Sequence, residues 1–171
     1  MQNVQVIESV TYSVFIGDGS LELLGDFTNN GSYSAAYILV DENTAIHCLD
    51  VLLSSCSNSK TISSAPVIKI RAGETNKNIN TVTDIAKALS AFNADRSSLL
   101  INLGGGVLCD IGGFAASIYK RGIDFVNLPT TLLSQVDASV GGKVGVDLEG
   151  MKNFLGVFND PKAVFILPEF L

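Results

Sequence analysis

The stretch Leu-Gly-Gly-Gly-Val-Leu-Cys-Asp-Ile-Gly-Gly-Phe at residues 103–114 decides the fold of this chain. It follows an apolar run of strand length at residues 98–103. It opens a helix that the pattern predicts over residues 107–119, with Asp110 in the first turn. Glycines permit positive φ and leave no side chain between the backbone and a ligand. Because a helix N-terminus offers free N–H groups and a positive dipole end, the stretch predicts a site for a nucleotide diphosphate.

Neither common phosphate-binding motif is complete in this sequence. The dinucleotide fingerprint needs glycine at its first, third and sixth positions; Gly104 and Gly106 fit, but Cys109 occupies the sixth. A P-loop fails as well, because Asp137 stands where its first glycine belongs and Val144 replaces the Ser or Thr. Taken alone, the glycine run is equally well explained by a tight turn with close helix packing.

The composition describes one compact domain over residues 1–171, with 47% hydrophobic and 16% charged residues. A net charge of −6 and the lack of a Lys/Arg cluster argue against nucleic acid as a partner. The apolar residues 99–119 include Asn102, Asp110 and five glycines, which favours a buried strand and helix over a membrane span. Without a basic, apolar leader, we expect a cytoplasmic protein with no membrane partner.

The cysteines and the histidine do not form a metal motif. Cys48, Cys56 and Cys109 are odd in number and lack a Cys-x-x-Cys spacing, so we expect reduced thiols in the core. His47 is the only histidine and lies beside Cys48 on a predicted helix. We interpret it as structural rather than catalytic.

Strands and helices alternate along most of the chain. Short strands at residues 5–10 and 13–16 predict a small N-terminal β-hairpin. Further strands are predicted at residues 35–40, 66–70, 98–103 and 124–128, and helices at residues 20–27, 43–55, 79–92 and 107–119. Ile46, Leu49, Leu52 and Leu53 provide the helical spacing in residues 43–55. This order predicts a mostly parallel α/β sheet with flanking helices and right-handed crossovers.

Polar residues or glycines follow the predicted strands of this sheet. Ligands bind at the carboxyl ends of parallel strands, and the ends here carry Asp41 with Asn43, residues 72–77, the glycine run, and Thr130 with Thr131. Asp41 suits either a ribose hydroxyl or the N-cap of the next helix, and the two threonines have the same ambiguity. Four such ends together favour a binding site.

The last third of the chain departs from the α/β pattern. Small residues surround Asp137 and Lys143 in the stretch 137–145, and Lys152 stands beside Asn153. Lysines in a glycine-rich, apolar setting suit binding of anionic groups or, when desolvated, proton transfer. A surface turn with solvated lysines is the alternative.

Five segments together resemble the 3-dehydroquinate synthase family. They are residues 104–114, Tyr-Lys-Arg-Gly at 119–122, Pro-Thr-Thr-Leu-Leu-Ser-Gln-Val-Asp-Ala-Ser-Val-Gly-Gly-Lys at 129–143, Lys152-Asn153, and the segment from Asn-Asp-Pro at 159–161 to Pro-Glu-Phe-Leu at 168–171. The similarity is ordered from about residue 41 to residue 171 and weak before it. Segments of this length are far more specific than a glycine pattern.

The resemblance implies a Rossmann-like NAD-binding domain of a lyase of the shikimate pathway, which makes aromatic amino acids. Such an enzyme converts 3-deoxy-arabino-heptulosonate 7-phosphate to 3-dehydroquinate and phosphate. NAD transiently oxidises a ring hydroxyl, phosphate is eliminated, the ketone is reduced again, and the ring opens and recloses. The family also uses a divalent metal, zinc or cobalt, acts on a small sugar phosphate, and forms homodimers.

The family's functional residues carry over position by position. The resemblance assigns NAD contacts to Asp41, Asn43, Glu74, Lys77, Gly105, Gly106, Val107, Asp110, Thr130, Thr131, Leu133 and Phe170. It places Asp137, Lys143, Lys152 and Asn153 where nicotinamide meets substrate, so that both lysines also count as cofactor contacts. Arg121 matches an arginine that contacts phosphate and can reach across a dimer interface.

The sequence departs from the family at four small positions. Cys109 and Gly112 stand where glycine and alanine are common, and Val144 and Asp147 replace a commoner threonine and asparagine. None of these changes removes a charged catalytic group, so they bear on fine specificity.

The family's metal ligands, two histidines and a glutamate, match no residue up to Leu171. We also expect a strand directly before the last residues, Phe170 and Leu171. We therefore expect the N-terminal half of a two-domain enzyme, without the helical metal-binding domain and inactive alone. Two alternatives remain: a related cyclase making an inositol-like or valiolone-like ring, and a stand-alone dinucleotide-binding module. The retained Lys143, Lys152, Asn153 and Arg121 argue against the module, because binding adenosine does not need them.

Overall fold

Strands and helices alternate in the computed structural model, which describes residues 4–171. The strands are β1 (Gln5–Glu8), β2 (Ser13–Ile16), β3 (Ala36–Asp41), β4 (Val67–Ile70), β5 (Leu99–Gly104), β6 (Asp124–Pro129), β7 (Lys143–Leu148), β8 (Met151–Phe158) and β9 (Ala163–Ile166). The helices are α1 (Ser20–Asn30), α2 (Glu42–His47), α3 (Leu49–Ser55), α4 (Lys60–Ser63), α5 (Ile79–Ala91) and α6 (Gly106–Ile118). No helix within residues 4–171 is both long and apolar enough to span a membrane.

Seven strands form one sheet in the order β1-β2-β9-β6-β5-β3-β4. Neighbouring strands are parallel except for β1 and β2, which form the predicted N-terminal hairpin. β3 has β4 on one side and β5 on the other. The connection from β3 to β4 therefore runs in one direction across the sheet, and the connection from β4 to β5 runs in the opposite direction. Such a switch point opens a crevice at the carboxyl ends of the two strands, and this crevice lies between Asp41 and the glycine run.

Both faces of the central strands are buried, and the first five residues of β3 are all apolar. On β3, Ile38 and Val40 face a core that includes Leu24 of α1 and Leu52 of α3. Tyr37 and Leu39 face the opposite core, built with α5 and α6. Strands covered by helices on both faces carry mostly apolar side chains, which is why no alternation appears in β3. The buried Asn102 of β5 and Asn127 of β6 are exceptions, and they hydrogen-bond to each other at 3.0 Å.

The single helix predicted over residues 43–55 is wrong, because the backbone breaks at Cys48. Cys48 has φ −119° and ψ −26° and separates α2 from α3. Leu52 is fully buried, whereas Ile46 is 70% exposed. In an unbroken helix the two side chains lie about 120° apart around the axis, so an apolar spacing alone did not show which of them reaches the core.

The region after β6 forms elements that the pattern did not predict. Ser134–Ala138 is a π-helical turn, and β7 and β8 pair as a separate antiparallel hairpin. Residues Glu149 and Gly150 connect these strands with φ of 48° and 85°, which suits the tight turn of a two-residue hairpin. β8 is almost entirely exposed and therefore lacks the apolar pattern of a buried strand.

The expectation of a strand directly before Phe170 and Leu171 is wrong. β9 ends at Ile166, and Pro168–Phe170 is a 3-10 turn. β9 is buried throughout and lies between β2 and β6 in the sheet. Proline at the first position of the turn has no N–H to donate to a neighbouring strand, which is consistent with the change of structure there.

Candidate functional site

A cleft of about 630 Å³ opens at the carboxyl ends of the central strands, and we call it the strand-end cleft. It lies at the switch point of the sheet, where ligands of open α/β sheets bind. Nine of the predicted site residues line it: Asp41, Asn43, Gly105, Gly106, Val107, Thr130, Thr131, Leu133 and Phe170. Residues from positions 41 to 170 are thus brought together by the parallel arrangement of β3, β5 and β6.

The N-terminus of α6 faces this cleft without a side-chain cap. The N–H of Cys109 donates to the carbonyl of Gly105 at 3.0 Å. The preceding N–H groups of residues 106–108 have no acceptor within the helix. Asp110 lies beyond the first turn, not within it as predicted, because the helix begins at Gly106. The first turn therefore carries no acidic side chain and keeps its positive end available to an anion.

The glycine run is required by close packing at the helix N-terminus, and its glycines do not use the positive φ that they permit. Gly104, Gly105 and Gly106 are not among the residues with positive φ, and Gly105 has φ −72°. A Cβ at Gly106 would lie 2.9 Å from the Cβ of Ala138 in the π-helical turn. Glycine therefore lets this turn pack against the helix N-terminus and leaves the backbone open to a ligand.

Asp41 caps α2, and its side chain also lines the strand-end cleft. Its Oδ1 accepts the N–H groups of Asn43 and Thr44 at 2.9 and 2.8 Å. Its own N–H donates to Thr44 Oγ1 at 3.0 Å, which completes a capping box. The capping bonds all use Oδ1, so Oδ2 is left for a ligand. The N-cap role is shown, and it does not conflict with a contact to a ribose hydroxyl.

Among the other residues that line the strand-end cleft, two with basic side chains were not predicted as ligand contacts. They are His47, the last residue of α2, and Arg71, which directly follows β4. The rule that ligands bind at strand ends would have included Arg71, because it occupies the carboxyl end of a parallel strand. His47 had no such signal, since its position depends on the break at Cys48.

A second cleft, of about 710 Å³, lies beside the β7–β8 hairpin, and we call it the hairpin cleft. Four predicted residues line it: Asp110, Asp137, Lys143 and Asn153. The exposed Phe154 and Phe158 of β8 complete its wall. A cation, two carboxylates and an amide around one cavity can hold a polar small molecule.

Lys77 joins α6 to the β7–β8 hairpin. Its Nζ donates to Asp110 Oδ2 at 2.5 Å and to Asn153 Oδ1 at 2.6 Å. The Lys77 side chain is 6% exposed and that of Asp110 is 17% exposed. Burial raises the pKa of the Asp110 carboxyl above its ordinary value, and the Lys77 ammonium opposes this rise. The Asp110 carboxylate therefore depends on Lys77 to remain charged in surroundings that are largely shielded from water.

Glu74 and Lys152 form a weaker connection across the same junction. Lys152 Nζ lies 3.4 Å from Glu74 Oε1, and both side chains are substantially exposed. Glu74 follows Gly73, a residue of the strand-end cleft, and Lys152 precedes Asn153 of the hairpin cleft. The ion pair thus lies near both clefts, although its exposure leaves both charges accessible to a ligand.

Arg121 is the one predicted site residue that the structure leaves apart from the others. It is exposed, has φ 73°, and lies in the short turn between α6 and β6. That turn leads into the amino end of β6, whereas both clefts gather residues at or beyond the carboxyl ends of strands. Within one chain, Arg121 therefore does not join the candidate site.

The three cysteines are free and buried, as expected. Burial raises the pKa of each thiol, in the case of Cys56 to about 12. Within residues 4–171, no group of three or more His, Cys, Asp or Glu side chains is placed to hold a metal ion. The described residues therefore provide no complete metal site.

Comparison with known proteins identifies a family for this chain. The family described as 3-dehydroquinate synthase N-terminal matches residues 67–171. The 3-dehydroquinate synthase of Parabacteroides distasonis is 43% identical over 148 residues, which are 86% of this chain and 41% of that protein. That of Clostridium botulinum is 42% identical over 166 residues, which are 96% and 47%. The chain thus spans about half the length of these relatives.

Solved structures show the same fold. A 2-deoxy-scyllo-inosose synthase, complexed with carbaglucose-6-phosphate, NAD+ and Co2+, superimposes with a TM-score of 0.85 at 24% identity, covering 99% of this chain and 47% of that one. The 2-epi-5-epi-valiolone synthase of Streptomyces hygroscopicus, with NAD+ and Zn2+ bound, gives 0.74 at 29% identity, covering 98% and 46%. On the family match, which covers most of the sequence, the chain belongs to the 3-dehydroquinate synthase family.

Proposed function

We propose that this chain is the NAD-binding part of a 3-dehydroquinate synthase. The reaction is conversion of 3-deoxy-arabino-heptulosonate 7-phosphate to 3-dehydroquinate and phosphate. One observation carries the proposal: Lys77 connects an uncapped helix N-terminus, suited to a diphosphate, with a second cleft that contains Lys143, Asp137 and Asn153. The named relatives, at 42% and 43% identity, support the choice of reaction within the family.

The strand-end cleft fits NAD by the chemistry of its donors. The free N–H groups at the start of α6 suit the diphosphate, and Asp41 Oδ2 suits a ribose hydroxyl. Thr130 and Thr131 add hydroxyl groups at the end of β6. These residues would hold NAD, and the chemistry it would supply there is reversible hydride transfer with the substrate.

The hairpin cleft would hold the sugar phosphate next to that cofactor. Lys143 supplies a positive charge for an anionic group, and Asp137 supplies a hydrogen-bond acceptor for hydroxyl groups. Asn153 is oriented by Lys77, so its amide presents fixed polarity to the cavity. Arg121 would act on phosphate only from a second copy of the chain, and we propose a homodimer for this reason.

The divalent metal of the family does not fit the described residues, which hold no suitable ligand group. Because the relatives are about twice as long, we propose that the metal ligands belong to sequence outside these 171 residues. The chain alone should then release no phosphate from the heptulosonate phosphate, and release by this chain would contradict that expectation.

The test of cofactor binding is a substitution at Gly105, the N-cap of α6. Its backbone, with φ −72° and ψ −177°, accepts any residue, and a Cβ would meet only the Thr131 side chain, at 3.2 Å. Gly105→Asp places a carboxylate over the free N–H groups, which favours the helix but opposes a diphosphate. Gly105→Ala is the matched control, because it adds the Cβ without the charge.

The expected result is NAD binding by the parent chain and by Gly105→Ala, measured by titration calorimetry. Gly105→Asp should bind at least about tenfold more weakly while its thermal unfolding temperature is unchanged or higher. Equal affinities of the two variants would contradict a diphosphate at α6.

Phosphate-release assays of the complete protein with a panel of sugar phosphates would separate a dehydroquinate synthase from an inositol-like or valiolone-like cyclase. A native product of about this chain's 18.0 kDa would instead favour a stand-alone binding module.

A further inference from the structure

The β7–β8 hairpin contains a bulge beside the candidate site. Val146 pairs with Leu155, and Leu148 pairs with Met151. One residue of β7, Asp147, therefore faces three residues of β8, at positions 152–154. Bulges turn side chains away from the regular alternation of a strand and are common next to active sites. Here the bulge carries Lys152 and Asn153, two residues of the proposed site.

Asp147 holds this bulge through both its side chain and its backbone. Its Oδ1 accepts the N–H of Asn153 at 2.7 Å. Its own N–H donates to the carbonyl of Lys77 at 2.9 Å. Asn153 has φ 51°, a left-handed conformation that needs local support in a non-glycine residue. The carboxylate thus supplies a partner for an N–H that the bulge has removed from the strand ladder.

The contacts of Asp147 close a ring with Lys77. Asn153 Oδ1 accepts from Lys77 Nζ at 2.6 Å, while the Lys77 carbonyl accepts from Asp147. The same bulge places Lys152 within 3.4 Å of Glu74. If the N–H of Asn153 lost its acceptor, both the left-handed backbone and the direction of the Asn153 amide would be free to change.

We propose that Asp147 is a positioning residue whose carboxylate oxygen fixes the bulge and thereby aims Asn153 at Lys77. Its relevance to cofactor and substrate rests on the proposed function, but the positioning itself is a property of this chain. The requirement is an acceptor atom at Oδ1, not a negative charge. Asparagine at this position therefore serves equally well, whereas leucine removes the acceptor and glutamate displaces it.

The test compares Asp147→Leu, Asp147→Glu and Asp147→Asn with Glu149→Gln. The last is a charge-matched control in the exposed turn between β7 and β8. Amide hydrogen exchange of Asn153 and the NMR resonances of its side-chain amide are measured in this chain. Exchange should become about tenfold faster in the leucine and glutamate variants, with the side-chain resonances moving toward those of a free amide.

Asp147→Asn and Glu149→Gln should both stay near the parent values. Amides of the buried β5 report whether each variant is folded, and the glutamate variant keeps the test available should leucine prevent folding. Unchanged exchange and unchanged side-chain resonances in a folded leucine or glutamate variant would overturn the proposal, as would loss of protection in Asp147→Asn. Neither NMR measurement needs NAD, so a failure to bind NAD would contradict the proposed function and leave this result standing.

Discussion

Replacing Lys77 with methionine removes the cation that joins α6 to the β7–β8 hairpin. Methionine retains much of the apolar stem, so the change isolates the ammonium group and its bonds to Asp110 and Asn153. Removing one partner of a buried ion pair costs about 3–5 kcal/mol, and a bond to a charged group contributes about 1.5–3 kcal/mol. Since Asp110 retains 17% exposure, we take the lower end and expect a loss of about 3 kcal/mol.

Urea unfolding at pH 7 measures this loss. With a slope of about 2 kcal/mol per molar urea, the midpoint should fall by about 1.5 M. Lys87→Met is the matched control, because Lys87 pairs with Asp84 at 3.1 Å with both side chains 72% exposed. Such a surface pair should contribute no more than about 0.5 kcal/mol.

Acid should reverse part of the loss in Lys77→Met. Burial raises the pKa of Asp110 in the folded protein, and the Lys77 ammonium offsets part of that rise. Without Lys77, the pKa of Asp110 in the folded variant rises further above its value in the unfolded chain. As the pH falls, the folded variant therefore binds a proton at Asp110 before the unfolded chain does, and this stabilises the fold. The stability gap between variant and parent should therefore narrow from pH 7 toward pH 5. A loss below about 1 kcal/mol, or a gap that widens in acid, would refute this reasoning.

Three further predictions concern packing, the Gly141 loop and the thiols. Gly112→Ala should destabilise the fold by about 1–3 kcal/mol in urea, because its methyl group would overlap the buried Asn102 Oδ1 beneath α6. Tyr12→Phe removes the hydroxyl that accepts the Gly141 N–H at 3.0 Å, so it should cost about 1 kcal/mol and speed exchange of that amide in NMR. Since burial raises their pKa and the thiolate is the reactive form, the cysteines should react with a thiol reagent at neutral pH only as the protein unfolds; these are Cys48, Cys56 and Cys109.

The packing prediction has a matched control variant. Gly25→Ala is the match for Gly112, because its Cβ would meet the end of the exposed Asn58 side chain, which can rotate away. It should leave stability unchanged or raise it by up to about 1 kcal/mol through helix propensity. Equal stability of the two alanine variants would argue against the overlap. Unchanged exchange of the Gly141 amide in Tyr12→Phe would contradict the second prediction. Thiol labelling at the same rate with and without urea would contradict the third.

Local pattern was sufficient where burial is complete. β3 is a continuous apolar run up to Asp41, β5 and β6 are mostly apolar around the buried Asn102 and Asn127, and each strand lies within a residue or two of its predicted bounds. Burial on both faces favours apolar side chains at most of these positions, so composition alone identifies the strands. The β7–β8 hairpin was not predicted, because β8 is exposed and its bulge interrupts the alternation.

Roles that depend on geometry could not be assigned in the same way. Asp41 was consistent with both a cap and a ligand contact, and only the backbone path after β3 showed that Oδ1 serves the cap while the side chain still lines the cleft. The glycine run was consistent with both a phosphate site and close helix packing, and only the structure showed that Ala138 packs against Gly106. In both cases the deciding atoms belong to neighbours that pattern does not reveal.

The sequence by itself determined the parallel α/β sheet, the family, and which residues gather at the strand ends. Those properties follow from local hydrophobic patterns and from long ordered motifs, which a chain carries whether or not it is folded. Only the tertiary structure decided that Lys77 binds both Asp110 and Asn153, 33 and 76 residues away, and that Asp147 supports the bulge. Contacts over such separations depend on how the loop after β4, α6 and the β7–β8 hairpin pack together, and that packing is set by the whole core.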